Sequence, residues 1–478
     1  MILKVQVMAM TEDGSQEICE IASVERTDLK PETLGLTLAE GKAILKGIQQ
    51  TVIQRQISSC LAPCRPCPNC GRRRPSKGYH DLSLRTVFGC LKVKSPRLHH
   101  CHCQQQETGT FSPLADLLPA HTTPELLFLE TKWASLMSYD MTAKLLEDVL
   151  PMDDPLNAFT IRRHVWDTAE RLEQELGEEQ DGFIEGCQRD WDALPAPDGP
   201  LTVGIDAGYV RGQRKQGQFE VIAGKSILAF RRDPDAKQEL SGRCVAWVQT
   251  YDEKPKRRLF ELLQAQGMQP NQQVVFLFDG GEDVRNVQFY LHPEAEHLLD
   301  WFHVTMRLTV MQTAKGLPEK VGEGEDQYEF RPGVLTDLES IKWYLWHGNV
   351  FQALDKLQGL EMDVESAAFE TKNETARKLL KGIEELHTYV ERNRELIPNY
   401  GERYRNGERI ASGFVESAVN QVVSKRMVKR QQMQWSQRGA HLLLQIRTRV
   451  LNEEWENTFR NWYPVFRPRV EAEVKKAA

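Results

Sequence analysis

Three acidic residues carry the chemistry this chain could do. Asp206 ends the apolar run LTVGID and is followed by Ala207 and Gly208. Asp279 ends VVFLFD and is followed by Gly280 and Gly281, while Glu416 falls in the first turn of a helix opened by Ser412 and Gly413. Carboxylates brought close together repel, and are tolerated where a divalent cation lies between them. Three of them could hold two Mg²⁺ or Mn²⁺ ions, one activating a water or hydroxyl and the other stabilising the leaving oxygen of a phosphodiester. The small residues after Asp206 would leave room for that substrate. Each acid alone is ordinary, and Asp283 competes with Asp279 as Glu408 competes with Glu416. Asp300 and His303, in the run Asp-Trp-Phe-His, form a further pair. His303 could orient a phosphate or donate a proton, so it is a candidate catalytic residue; an N-cap aspartate beside a packed histidine is the equal alternative.

The acids need a sheet to bring them together. After the proline-rich stretch 193–200, a linker by composition, LTVGIDAGYV, FEVIAGKSILAFRR and GRCVAWVQTYD read as three strands. Lys254 to Met268 reads as an amphipathic helix, VVFLF as a buried strand, about Glu282 to Tyr290 as another helix, and EHLLDWFHV as a last strand. That order predicts an RNase H-like mixed sheet flanked by helices over 201–300, with the first and fourth strands side by side. Residues 301–400 read as an all-helical insertion with an acidic loop near Val321 to Glu329, and 401–478 as the end of the core, carrying Glu416 and a basic helix. The whole is a multidomain α/β chain.

Ahead of the linker, residues 1–59 read as two strands around a turn at Thr11 to Ser15 and a helix over Thr37 to Gln56. Residues 60–120 hold most of the cysteines: of ten, Cys60, Cys64, Cys67, Cys70, Cys90, Cys101 and Cys103 lie in this stretch. Such crowding indicates metal rather than disulfides. Cys67-Pro-Asn-Cys70 followed by Gly71 is a knuckle, and Cys101-His102-Cys103 supplies a second close pair across a hairpin, LRTVFGCLKVKSPR. Together they predict a zinc ribbon with a structural Zn²⁺. Cys60, Cys64, Cys90, His99, His100 and His102 stand near enough to replace one ligand. Residues 121–192 read as helical. A break around Pro151 to Pro155 precedes a helix opened by Thr160, with Arg162, Arg163 and His164 in its first turn, as a helix-turn-helix would need.

The formal net charge of -7 argues against a nucleic-acid partner only on average. Between Arg55 and Arg97 stand ten Lys or Arg residues against one acid, Asp81; between Ser417 and Val450 stand seven and no acid. These two basic segments look like two polyanion contacts, with Arg72, Arg73, Arg74, Lys425, Arg426, Lys429 and Arg430 as candidates; Arg162 and Arg163 of the possible helix-turn-helix would add contacts to double-stranded DNA. Trp435 could wedge beside a base, though a core position is commoner. With no run of about 18 apolar residues and no basic-then-apolar N-terminus, a cytoplasmic protein without a membrane partner is expected.

GIDAGYV, LFDGGEDV, LLDWFHV and SGFVES, then a basic helix with Trp435 to Ala440 as W-x-x-x-G-A, resemble a DDE-type insertion-sequence transposase of a bacterial family with an N-terminal zinc ribbon. The resemblance implies Asp206, Asp279 and Glu416 as metal ligands. It also implies an enzyme that hydrolyses a phosphodiester at an element end and uses the exposed 3′-OH to attack target DNA, assembled as a homo-oligomer. An RNase H-like nuclease without strand transfer, or a domesticated DNA-binding protein that cuts nothing, are the other readings.

Overall fold

The computed structural model describes residues 1–10, 16–103, 109–117, 121–152, 155–197, 199–213, 217–227, 242–281, 286–288, 291–292, 295–322, 327–428 and 433–468. Several expectations therefore lie outside the described residues: the turn at 11–15, the end of the second core strand, most of the helix expected over 282–290, the centre of the acidic loop, and Asp283, Lys429 and Arg430. The chain divides into two compact units, one made of Met1–Ala169 with Glu453–Ala478, the other of Glu170–Asn452. Among the described residues no helix is long and apolar enough to cross a membrane.

In the first unit, β1 (Ile2–Met10) and β2 (Gln16–Glu25) pair antiparallel, and α1 (Leu38–Leu61) follows. Its start is set by a capping box: Thr37 Oγ1 accepts from the Glu40 amide at 3.3 Å, and Glu40 Oε2 accepts from the Thr37 amide at 2.9 Å. The predicted hairpin is β3 (Ser76–Thr86) with β4 (Gly89–His99), extended by β5 (Thr110–Phe111). Strand alternation turns Leu82, Leu84 and Leu91 inward, where they pack with Ile53 of α1. Four helices follow, α2 (Pro113–Leu117), α3 (Pro124–Leu136), α4 (Tyr139–Val149) and α5 (Ala158–Glu175). The chain returns to this unit at its far end, where helix Trp455–Trp462 sets Phe459 and the following Phe466 around Phe128 of α3, ring centroids 5.3 Å apart.

The second unit opens with α6 (Gln188–Asp192) and then builds a five-stranded sheet from β6 (Leu201–Arg211), β7 (Gln218–Ile227), β8 (Arg243–Val248), β9 (Val274–Phe278) and β10 (Ala295–Leu299), with α7 (Pro255–Ala265) between β8 and β9. The spatial order is β10-β9-β6-β7-β8. β7 runs antiparallel to both β6 and β8, and β6, β9 and β10 run parallel. β6 and β9 are therefore neighbours pointing the same way, which sets Asp206 and Asp279 toward one end of the sheet. β9 is wholly buried, as a continuous apolar run demands. The predicted last strand is shorter than its sequence run: it stops at Leu299, and Asp300 begins a helix, α8 (Trp301–Arg307).

From there the insertion proceeds through α9 (Val310–Ala314), a short pair β11 (Lys320–Val321) and β12 (Tyr328–Glu329), α10 (Phe330–Trp346), α11 (Val350–Thr371), α12 (Glu374–Arg392) and α13 (Tyr400–Arg405). It is thus not purely helical, because its acidic loop is closed by the β11–β12 pair. Leu338, Ile341, Leu357, Val364, Leu379 and Ile383 form its own core. The chain then re-enters the sheet region as α14 (Gly413–Val419), continues as a π-helix (Asn420–Val428), and ends the unit with α15 (Gln437–Leu451).

The space beside Asp206 is filled differently from the expectation. Gly204, Asp206 and Gly208 share one face of β6 by strand alternation, and α14 lies directly on that face. A Cβ on Gly204 would sit 2.0 Å from Val415 Cγ2, and one on Gly208 would sit 3.1 Å from Val419 Cγ1. The glycines make room for the helix that carries Glu416, not for a substrate. Gly204→Ala should therefore destabilise the chain by about 1–3 kcal/mol through overpacking. Gly359→Ala, in α11 with open space around its would-be Cβ, should stabilise it by about 0.4–1 kcal/mol. Denaturant unfolding of the two variants checks the opposite signs.

Candidate functional site

Because α14 is seated on β6, Glu416, next to Val415, comes within electrostatic reach of Asp206. Burial foremost raises the Asp206 carboxyl above the usual range. The charges of Asp279 and Asp300 push the same way, against the Ala207 amide, which donates to Asp206 Oδ1 at 2.8 Å, and against His303. Glu416 is raised likewise, by burial, then by the charges of Asp206 and Asp300, with His303 opposing. Asp279 accepts from the Gly281 amide at 2.9 Å, and its turn requires a glycine at Gly280, where φ is +89° and a Cβ would press on the Asn393 amide. Asp206, Asp279, Asp300, His303 and Glu416 thus form one acid-rich locality. Asp206, Asp279 and Glu416 are spread more widely than a single ion's ligand sphere, since they do not gather three ligand atoms all within 4.8 Å of one another. Glu408 is committed elsewhere, paired with Arg403 at 2.9 Å.

Asp300 organises this locality. It is fully buried, caps α8 by accepting from the Phe302 amide at 2.9 Å, and accepts from the Ser412 amide at 3.0 Å and from the Ser412 hydroxyl. Burial again raises its carboxyl, against these hydrogen bonds. His303 Nε2 lies 3.6 Å from Asp300 Oδ2. Of the two readings of the Asp-Trp-Phe-His run, the N-cap is what the geometry bears out; Asp300 also ties the end of β10 to the start of α14.

In the first unit, Cys67, Cys70, Cys101 and Cys103 bring their Sγ atoms within 4.8 Å of one another, with Cys67 to Cys103 at 3.4 Å and Cys70 to Cys101 at 3.5 Å. Four thiolates at about 2.3 Å from one zinc would have comparable spacing, so the cluster could hold zinc. The knuckle turns at Gly71, φ +70°, and hydrogen bonds from the Cys70 and Asn69 amides bring the Cys67 thiol down to about 6, against its burial. Cys64 is turned away, its thiol against the Cys60 carbonyl at 3.3 Å.

The basic candidates divide. Arg72, Arg73, Arg163 and Lys425 are exposed. Arg74 is partly buried, donating to the Cys64 carbonyl at 3.2 Å and lying over Phe111, while Arg162 lies over the rings of Phe159 and Trp166. His164 is buried against Glu130 at 2.5 Å, and its helix begins at Ala158, ahead of Thr160. Arg426 is a correction. It is fully buried, with its guanidinium 5.1 Å from the Trp435 ring, and Trp435 itself belongs to the core. The acid-free segment proves to be largely interior. Arg447 donates to the Val422 carbonyl at 2.7 Å, and Arg438 finds its acid in Glu170, from a distant part of the sequence.

A second cluster escaped sequence reading. Glu173, Asp252 and His441 place ligand atoms within 4.8 Å of one another, a geometry a metal could use. The cation found among them is Arg258: its guanidinium meets Asp252 at 2.7 Å, Gln445 at 2.8 Å, His441 at 3.1 Å, and Glu173. The available signal was a histidine and a glutamine four positions apart in the otherwise apolar run HLLLQ.

No family model matches the chain, and no curated protein is significantly similar to it.

Two outcomes follow from these clusters. Replacing Cys67 and Cys70 together by Ser should remove about one zinc per chain by metal analysis; unchanged zinc content would refute the site. For Glu173, burial would raise the carboxyl, but hydrogen bonds from His441 and Arg258 outweigh it and hold the group at about 2 instead of 4.5. A lowered folded-state value contributes stability in full above the unfolded value and loses it as pH falls toward the folded one. Urea unfolding between about pH 6 and pH 3 should lose stability more steeply for the parent protein than for Glu173→Gln.

Proposed function

We propose that the chain is a DNA transposase of the DDE type, built on an RNase H-like core. The observation that carries this reading is the acid locality at one end of the sheet, where burial holds Asp206, Asp300 and Glu416 above their ordinary pKa, helped at Asp206 by Asp279 and Asp300 and at Glu416 by Asp206 and Asp300. Buried like charges cost stability unless a cation compensates them. The sheet order, with its first three strands antiparallel and the fourth and fifth added parallel beside the first, supports the core assignment.

The donor set is all carboxylate oxygen, which suits Mg²⁺ or Mn²⁺. Asp206, Asp279 and Glu416 would be the ligands. When bound, such ions supply nucleophile activation and stabilisation of the leaving oxygen. The chain's own contribution is positional. β6 and β9 present Asp206 and Asp279 side by side, the Gly204 and Gly208 contacts seat Glu416, and Asp300 holds Ser412 and His303. In the first step, water oxygen bonds to phosphorus at the element end and the 3′ oxygen leaves as the hydroxyl. In the second, that hydroxyl attacks a target phosphodiester and expels a target 3′ oxygen. The double-stranded DNA partner would meet the exposed Arg72, Arg73, Arg163 and Lys425, and joining two element ends calls for a homo-oligomer on DNA.

The test is a cleavage and strand-transfer assay on labelled element ends with Mg²⁺ or Mn²⁺. Asp206→Asn, Asp279→Asn and Glu416→Gln should each lower both steps by roughly a thousandfold or more while DNA binding survives. Cleavage without transfer by the parent protein would replace this reading with a nuclease, and near-normal cleavage by any variant would remove that residue from the triad.

A further inference from the structure

A cleft of about 900 Å³ opens beside Asp279, lined by Asp279, Gly280, Arg307, Tyr389, Arg392 and Asn393 among others. The insertion supplies most of this lining. Arg307 ends α8, one turn beyond His303, so the two residues share a helix face. Its guanidinium lies over the Tyr389 ring, 4.1 Å from the centroid. Tyr389 is itself fixed, since its hydroxyl donates to the Asp279 carbonyl at 2.9 Å. Arg392 stands one turn beyond Tyr389 and exposes its guanidinium to the cleft.

Both arginines are exposed to solvent, and neither has a carboxylate partner among the described residues, whereas several buried or half-buried arginines of this unit do. Arg258 meets Asp252 and Glu173, Arg403 meets Glu296 and Glu408, and Arg257 meets Glu261. The cleft also bears Glu384 and Glu385. Both are exposed, Glu385 lies 3.9 Å from Lys381, and neither is within ion-pair distance of Arg307 or Arg392. Two unpaired guanidiniums beside an acid that would hold a divalent ion, one of them oriented by stacking, suit a group that is anionic and bidentate. Phosphate is such a group, and polarity excludes an apolar ligand.

We propose that Arg307 and Arg392 form a phosphate clamp, gripping the backbone of the DNA strand as it enters the acid locality beside Asp279. The clamp rests on the transposase reading and assigns the insertion a direct contact with DNA. Tyr389 is a positioning residue for Arg307. Specific bases are not read here, because guanidiniums facing backbone phosphates carry no sequence information.

The test uses the full chain and a fluorescently labelled DNA duplex with Ca²⁺ in place of Mg²⁺, and follows affinity by anisotropy against salt concentration. Each lost phosphate contact should reduce the magnitude of the slope of log affinity against log salt by about 0.9. Arg392→Ala and Arg307→Ala should each show this, their double variant about twice as much, and weakening should be the same for unrelated duplex sequences. Arg392→Lys should restore the slope, which loss of a merely structural contact would not do. Tyr389→Phe should weaken binding less than Arg307→Ala. Parent-like slope and affinity in the double variant, with its far-ultraviolet circular dichroism unchanged, would overturn the clamp while leaving the transposase reading standing. A parent protein that binds no duplex would overturn both.

Discussion

The close approach of α14 to β6 is the constraint on which the candidate site depends. A helix can lie this near a strand only where the strand lacks side chains, and Gly204 and Gly208 provide two gaps flanking Asp206 on the same face. Val415 and Val419 drop into those gaps, and Glu416 follows by helical geometry. The apolar contact thus determines an electrostatic one, bringing together two carboxylates that lie far apart in sequence. The passage from α14 into a π-helix at Asn420 continues the same packing, with Val423 also lying over Gly208.

Much of the fold was legible because its signals are local. The capping box at Thr37 and Glu40, the hairpin around Val87 and Phe88, the knuckle ending at Gly71 and the buried run VVFLF each depend on neighbours a few residues away. Asp206 and Asp279 were placed for the same reason, as carboxylates ending apolar runs. What sequence could not supply was the destination of each side chain. Ala207 and Gly208 suggested an opening, but a glycine marks close approach without naming what approaches. Arg426 and Arg447 counted as surface charge in an acid-free segment, yet both are interior, where carbonyls and a tryptophan ring receive them.

Asp300 illustrates the middle ground. Its sequence offered an N-cap and a functional pair as rivals; the N-cap is present, and the same buried carboxylate also meets Ser412 and lies near His303, contacts that no spacing announced. The Arg258 cluster was illegible for the opposite reason. Glu173, Asp252, Arg258, His441 and Gln445 come from three separate stretches, and the spacing of His441 and Gln445 alone says nothing of the other partners.

Two tyrosines of the insertion reach back to the sheet. Tyr389 donates to the carbonyl of Asp279, and Tyr400 donates at 2.8 Å to the carbonyl of Leu299, each at the tip of a parallel strand. The insertion is therefore a buttress rather than a detachable cassette. Strand tips that would otherwise fray are pinned from outside the sheet, so the alignment of the acids becomes a property of both cores at once. Trimming the excursion to a short loop would save chain length at the expense of the rigidity that holds its neighbours in register.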